Sequence, residues 1–419
     1  MIKNSKRKII YIFIIFLLII ILVFATIQGI QILKDRVNDT INNKINKELN
    51  IIRLELKKTN VKLGRLTSSK NIDFDLNKIK FKKSNFNDWP FGYLEQYKND
   101  IIFAHAGGDI FFGNKTENLE EIEFVKIESN IKNFFINDNK KDSYFNNSIR
   151  DILVYKNSIY VVYIDKINTN NQYQTTTSVL KSNLNKNYLV FSKIFSLKDR
   201  YPESIVHAGG KIQHFDNDFF ILAVPDNGDL IGVNSEKVAI GKTILFEDND
   251  KIFEYNIFTK GHRNPQGLFH DKQNNIILLT EHGPAGGDEI NIIKQDKNYG
   301  WPTASYGEAN QPTFDNHKAN GFEEPIYYWG TNPGISEIIK VSDNFYQNYD
   351  DCYFIASLSG SNELFGHHIY VFCINKSENF QMIDKIYVGE RIRDIIYVKS
   401  HNAVMVVLEN SNSLGIISK

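Results

Sequence analysis

Seven residues of the chain have the side chains and the placement to build one polar site: His105, Arg150, His207, Arg263, Asn264, Arg391 and Arg393. Each stands at or near the start of an apolar, strand-like run, beside a cluster of small or polar residues. Taken singly, any of them reads as a strand-end salt bridge. Brought together, one or two histidines among several arginines make a receptor for an anionic ligand with several carboxylates, because the planar guanidinium fork matches carboxylate geometry. What matters is which elements could bring positions so far apart in the chain to one place.

From about Asn85 onward, short aromatic and β-branched runs are separated by Asn, Asp, Gly and Lys clusters, a strand-and-turn pattern with no long helical period. Two internal repeats stand out. Ile149-Arg-Asp-Ile recurs as Ile392-Arg-Asp-Ile, 243 residues later, and His105-Ala-Gly-Gly recurs as His207-Ala-Gly-Gly, 102 residues later. The same grammar gives six starts, near His105, Ile149, His207, His262, Pro333 and Arg391, spaced by 44, 58, 55, 71 and 58 residues. One blade of four antiparallel strands needs about 40–50 residues, so the spacing predicts a six-bladed β-propeller with insertions over residues 85–419. Tandem β-sandwiches of about 100 residues each are the rival, but they do not explain why polar clusters recur at strand starts. In a propeller the first strand of each blade lines the central axis, so those starts converge on one end of the channel.

The N-terminal part reads differently. Ile9 to Leu33 is a 25-residue run without a charge, bracketed by Lys8 and Lys34. About 20 apolar residues cross a bilayer core. Lys3, Lys6, Arg7 and Lys8 precede the run and place the N-terminus in the cytoplasm. Residues 1–34 are therefore expected to be a cytoplasmic tip and a transmembrane anchor. A cleaved signal peptide ending near Ala25 is the competing reading, and either one exports the chain beyond Leu33. Val37, Ile41, Ile45, Leu49, Ile52, Leu56, Leu63 and Leu66 recur at steps of three, four or seven, which predicts a helical stalk or linker over 35–84. A short coiled coil there would make the protein a homo-oligomer, a question the stalk leaves open.

Composition removes several classes. Lys plus Arg and Asp plus Glu both total 49, a balance unlike that of a nucleic-acid-binding protein. Two cysteines exclude a disulfide scaffold and a Cys-rich zinc module. Ile240-Gly-Lys-Thr243 resembles half a P-loop, but Glu236 stands where its first glycine should be. Neither a His-Glu-x-x-His helix nor a Gly-x-Ser-x-Gly elbow occurs.

Three ordered motifs carry a family resemblance: Gly261-His-Arg-Asn-Pro-Gln-Gly-Leu268, Thr280-Glu-His-Gly-Pro-Ala-Gly-Gly-Asp-Glu-Ile-Asn291 and Asn298-Tyr-Gly-Trp-Pro302. Together they resemble the soluble quinoprotein glucose dehydrogenases, and more closely the periplasmic PQQ-dependent aldose sugar dehydrogenases of the glucose/sorbosone dehydrogenase family. The resemblance runs over about residues 86–419 and implies a six-bladed propeller. It also implies PQQ and Ca²⁺ as cofactors, a sugar substrate and a respiratory electron acceptor. Residue by residue, His207 matches the catalytic base. Arg263, Asn264 and Gln266 match the loop that contacts the cofactor, and Arg391 and Arg393 match the pair that holds PQQ carboxylates. Gly283 and Pro284 match the loop whose carbonyls bind calcium under PQQ. Glu289 matches a ligand of a separate structural calcium, and Trp329 lies where substrate specificity would be set.

Three departures accompany it. Ser359 stands where the family has a lysine that touches the quinone. Val224-Pro-Asp-Asn227 replaces a Gly-Asp segment, and Thr331-Asn-Pro-Gly-Ile-Ser336 replaces a Pro-Ser-Gly type segment. Joined to the apolar N-terminal run, which the resemblance does not cover, it implies a membrane-anchored extracytoplasmic sugar dehydrogenase. A propeller that binds a carbohydrate or a partner without PQQ chemistry is the alternative, and a lactonase-like hydrolase is a distant third. Cys352 begins one apolar strand and Cys373 ends another; pairing Leu358 with His367 would set the two cysteines opposite each other, close enough for a disulfide.

Overall fold

The computed structural model describes residues 64–419 apart from residues 71, 81–90, 115–116, 136–147, 170–171, 203–206, 208, 250, 308–316, 343–344, 348, 350, 360–365 and 375–379. The expected anchor and residues 35–63 of the expected stalk lie outside the described residues. Among the described residues no helix is long and apolar enough to cross a membrane.

The strands form six sheets. Their innermost strands are Gly92–Tyr97, Ile149–Tyr155, Lys211–Asp216, Pro265–Asp271, Ile335–Lys340 and Ile392–Val398, which begin blades one to six. Each inner strand packs on the next and the sixth on the first, which closes a ring. This is the six-bladed propeller that the spacing predicts. Five of the expected starts fall at or just before the observed inner strands. The first does not: His105 ends the second strand of blade one, Asp100–His105, while Gly92–Tyr97 lines the axis. Glu95 and Gln96 break the apolar run in that inner strand, so it does not stand out in the sequence.

Period-two alternation explains the packing. Between each pair of neighbouring blades lies one apolar core, six in all. The second strand of blade six, Ala403–Leu408, shows the rule. Val404, Val406 and Leu408 enter the core shared with blade five, and Ala403, Met405 and Val407 enter the core shared with blade one. Strands buried on both faces read as continuous apolar runs, as these do.

The helical stalk needs correction over its last part. Gly64–Thr67 and Asp73–Lys80 are strands of blade six: Asp73–Lys80 pairs with Ser413–Ser418, and Gly64–Thr67 pairs on its outer side. Leu66 fits a helical step, but it is buried with Phe74 and Leu76 in the core between blades five and six. The propeller therefore begins before residue 85. In blade five, Cys352 pairs with Cys373 in the predicted register and is joined to it by a disulfide, with Cα atoms 4.2 Å apart.

On the axis, Lys211 of blade three is buried among carboxylates. Its Nζ lies 3.1 Å from Asp151 Oδ1 and 4.0 Å from Asp394 Oδ1, and it also bonds Glu337. Each carboxylate accepts a backbone N–H from a neighbouring blade: Asp151 from Ile212 (2.9 Å), Asp394 from Leu94 (2.5 Å) and Glu337 from Leu268 (3.3 Å). Glu95 of blade one does the same for Val154 (3.3 Å).

Burial pushes the Glu95 carboxyl up to about 7 from 4.5, with Asp151 and Glu337 adding to the shift. A carboxyl whose folded pKa lies above its unfolded one favours the fold most at low pH, and that contribution is lost as pH rises through the folded value. Glu95→Gln should therefore raise Tm at pH 8 relative to wild type by more than it does at pH 5. Equal shifts in thermal melts at the two pH values would contradict the burial of an ionisable group there.

Candidate active site

His207 precedes the inner strand of blade three and is held at φ 54°, a left-handed conformation that costs a non-glycine residue energy and gathers at functional sites. Its Nδ1 lies 2.6 Å from Asp226 Oδ1, and Arg263 Nη2 lies 2.8 Å from its Nε2. Guanidinium can only donate, so Nε2 accepts and the ring proton sits on Nδ1, donated to Asp226. The result is a neutral imidazole whose lone pair points into the site. Asp226 is fully buried and takes two further bonds, from Trp301 Nε1 (2.8 Å) and Gly228 N (3.0 Å).

Blade four supplies the neighbouring groups. Arg263 Nη1 donates to the carbonyls of Gly283 (2.8 Å) and His282 (3.1 Å), and its guanidinium lies over the Trp301 ring at 5.3 Å. Asn264 Oδ1 accepts from Gly209 N (3.2 Å) and from Gln266 Nε2 (2.9 Å), tying this loop to the segment that carries His207. Asp288, fully buried, pins the Gly283 loop: it accepts from Gly283 N and from Ile335 N, both at 3.1 Å. Asn332, with its amide nitrogen facing the carboxylate, adds a bond of 2.9 Å. Burial holds the His282 imidazole below its ordinary value, and Arg393 and Arg263 press it the same way.

On blade six, Arg391 Nε and Arg393 Nε each donate to Glu409, one to each carboxylate oxygen, at 2.6 Å. Burial alone would raise the Glu409 carboxyl, but Arg393 and Arg391 outweigh it and hold Glu409 below the ordinary carboxylate range. Arg391 Nη1 also donates to Leu358 O (2.8 Å), next to Ser359, which packs on Gly334.

The match of residues 148–417 to the glucose/sorbosone dehydrogenase family covers more than half the chain. The chain belongs to that family. An aldose sugar dehydrogenase of Escherichia coli is 29% identical over 209 residues, 45% of this chain and 54% of that relative, so the matched stretch spans about half its length. Solved structures share the fold at low identity. The apo-form of the soluble aldose sugar dehydrogenase from Escherichia coli has a TM-score of 0.63 at 19% identity, covering 82% of this chain and 99% of that one. The PQQ-bound aldose sugar dehydrogenase from Streptomyces coelicolor has a TM-score of 0.58 at 15% identity, covering 82% and 98%.

Within this member of the family, one cluster joins His207, Arg263, Asn264, Gln266 and Gly283. A small cleft lined by Arg263, Glu281, Gly283, Pro284, Glu289 and Trp301 adjoins it. Glu289 itself is buried with Glu281 and Asn291, and burial with Glu281 nearby pushes its carboxyl well up. Trp329 needs correction. It is 6% exposed and packs on Tyr370 and Phe372 in the core between blades four and five, so its indole does not line a substrate site. Only its carbonyl serves the loop, accepting Gly287 N at 2.7 Å. Glu409 does not stand out in the sequence, and Asp226, Asp288 and Trp301 lie in segments singled out there without a role of their own. A groove of about 560 Å³ lies between blades three and four, lined by Phe215, Phe258, His270 and Ile276, and no candidate residue borders it.

The donor set fits the family's cofactors. Two guanidinium groups share a carboxylate, the group by which PQQ would be held. The carbonyls of His282 and Gly283 already accept from a cationic group, and Arg263 Nε is buried with no hydrogen-bond partner. Among the described residues no three His, Cys, Asp or Glu side chains are grouped to hold a metal ion. Calcium would therefore depend on the carbonyls and on cofactor oxygens, as hard oxygen donors allow.

Gly209 has no room for a side chain: a Cβ there would meet Pro265 O at 2.1 Å and Asn264 Oδ1 at 3.0 Å. Gly209→Ala should destabilise the protein by about 1–3 kcal/mol, the range of overpacked sites. Urea melts will measure it, and an unchanged midpoint would mean that the two loops are not in contact.

Proposed function

We propose that this chain is a quinoprotein sugar dehydrogenase that oxidises an aldose, or a related sugar, at its anomeric carbon. The observation that carries the reading is the Asp226–His207 pair, whose Nε2 lone pair points toward the cluster of Arg263 and the Gly283 loop. In this mechanism His207 Nε2 takes the proton of the anomeric hydroxyl. Asp226 keeps the ring in the right tautomer and stabilises the imidazolium that forms. Arg391 and Arg393 would hold PQQ carboxylates, Arg263, Asn264 and Gln266 would contact its ring system, and the carbonyls of Gly283 and Pro284 would hold Ca²⁺. When bound, PQQ accepts the hydride leaving the anomeric carbon, and Ca²⁺ polarises the quinone carbonyl. Glu289 would belong to a separate structural calcium.

The apolar run from Ile9 to Leu33 supports a membrane anchor or an export signal, with the propeller outside the cytoplasm. There a respiratory acceptor would take the electrons. A Cys352–Cys373 disulfide suits such an oxidising compartment. A second reading, a propeller that binds a carbohydrate or a partner without PQQ, draws support from Ser359 in place of a cation and from Glu409, which already engages both arginines.

His207→Ala should cut aldose-dependent dye reduction by at least about a hundredfold while PQQ still binds, the scale of a lost general base. Retained activity would remove His207 from the reaction. Separately, Arg391→Ala should weaken PQQ binding by about tenfold or more in a spectroscopic titration with calcium present, since a charge-assisted bond is worth about 1.5–3 kcal/mol. If the titration shows no PQQ binding in the wild type, the second reading holds.

A further inference from the structure

Arg263 occupies both positions that the proposed chemistry needs open. Its Nη1 bonds the Gly283 carbonyl at 2.8 Å, the oxygen that the proposed function assigns to calcium. Its Nη2 bonds His207 Nε2 at 2.8 Å, and because Nδ1 is engaged by Asp226, Nε2 is the only ring atom that can take a substrate proton. The arrangement seen here and the reactive one exclude each other.

The guanidinium is also placed to move. Three carboxylates lie near it, and each is committed elsewhere. Asp226 serves His207, Trp301 and Gly228. Glu281 accepts from the Arg263 backbone N–H, meets His262 and accepts from Asn291. Asp288 accepts from Gly283 and Ile335. Among the described residues the Arg263 side chain is therefore held by neutral acceptors alone, two carbonyls and an imidazole, with Nε left over and the face of Trp301 beside it. These bonds lack the anionic partner that fixes Arg391 and Arg393 on Glu409. A divalent cation at the Gly283 carbonyl would repel a guanidinium bonded to the same oxygen.

We propose that Arg263 is an internal latch: its guanidinium and a calcium ion compete for the Gly283 carbonyl, and cation binding frees the lone pair of His207. The inference rests on the reading of the Gly283 loop as a cation site. It makes the base available only once the metal is in place, so metal loading and proton abstraction are coupled through one side chain.

The test uses the full chain, stripped of metal and without PQQ, with ¹⁵N-labelled histidine. Calcium is titrated by calorimetry and the His207 Nε2 resonance is followed in parallel. Arg263→Gln should bind calcium at least about tenfold more tightly than wild type. Saturating calcium should move the wild-type Nε2 resonance toward the position it has in metal-free Arg263→Gln. The wild-type measurement stands even if the variant folds poorly. Calcium binding that leaves Nε2 unmoved, with equal affinity in both proteins, would overturn the latch and keep the metal site. Absence of calcium binding in both proteins would overturn the latch, which needs the cation to bind before PQQ, and leave the Gly283 loop as a site that PQQ oxygens complete.

Discussion

The geometry of the site depends on one buried ammonium. Lys211 sits on the axis with Asp151, Glu337 and Asp394, from three other blades, around its Nζ. Burial alone would lower its pKa, but these carboxylates outweigh burial and hold it well above the ordinary value. The carboxylates are more numerous than the cation, so burial is not fully offset for all of them. Burial raises Asp151 to about 7, and it raises Asp394 well above its usual range. Removing one partner from such a buried set leaves the others uncompensated, which costs about 3–5 kcal/mol in comparable cases. Because Lys211 lies four residues beyond His207, the segment that bears the base is anchored at this point.

The Ile-Arg-Asp repeat acquires a physical meaning from that hub. In blade two the pairing register shifts between Ile149 and Asp151, and in blade six it shifts between Ile392 and Asp394. The arginine stands in the bulge each time. A bulge adds a residue on one strand and re-aims its side chain, a device common beside active sites. The adjoining aspartate turns to the axis and accepts a backbone N–H of the next blade. One tripeptide thus supplies an arginine re-aimed by a bulge and an interblade tie. Both copies do so where a blade begins, which is why the motif recurs at that spacing.

The blade count is legible in the sequence because strands buried on both faces leave long apolar runs, and because site residues cluster where those runs begin. Whatever depends on partners distant in the chain stays concealed there. Gly92–Tyr97 looks too polar for an inner strand until Glu95 is seen to bond Val154 of the next blade. Asp226 lies in a segment that departs from the family pattern, and only folding shows that it faces His207. Trp329 misleads in the other direction, since a tryptophan beside a variable segment suggests a contact surface, yet packing on Tyr370 and Phe372 absorbs it. The cysteine register is readable because one hairpin fixes it locally, with no distant partner involved.

Blade six is assembled from both ends of the described chain: Lys80 pairs with Ser413, 333 residues later. During synthesis, Asp73–Lys80 emerges long before its neighbour exists. Until Ser413–Ser418 arrives, Phe74 and Leu76 have no complete core to enter, and the strand offers an open edge to other chains. The first five blades can collapse in order, but the seam waits for nearly the whole chain. A ring of this kind is most open to misassembly while it is still a crescent, so that early strand has to be kept apart from other chains until the seam closes.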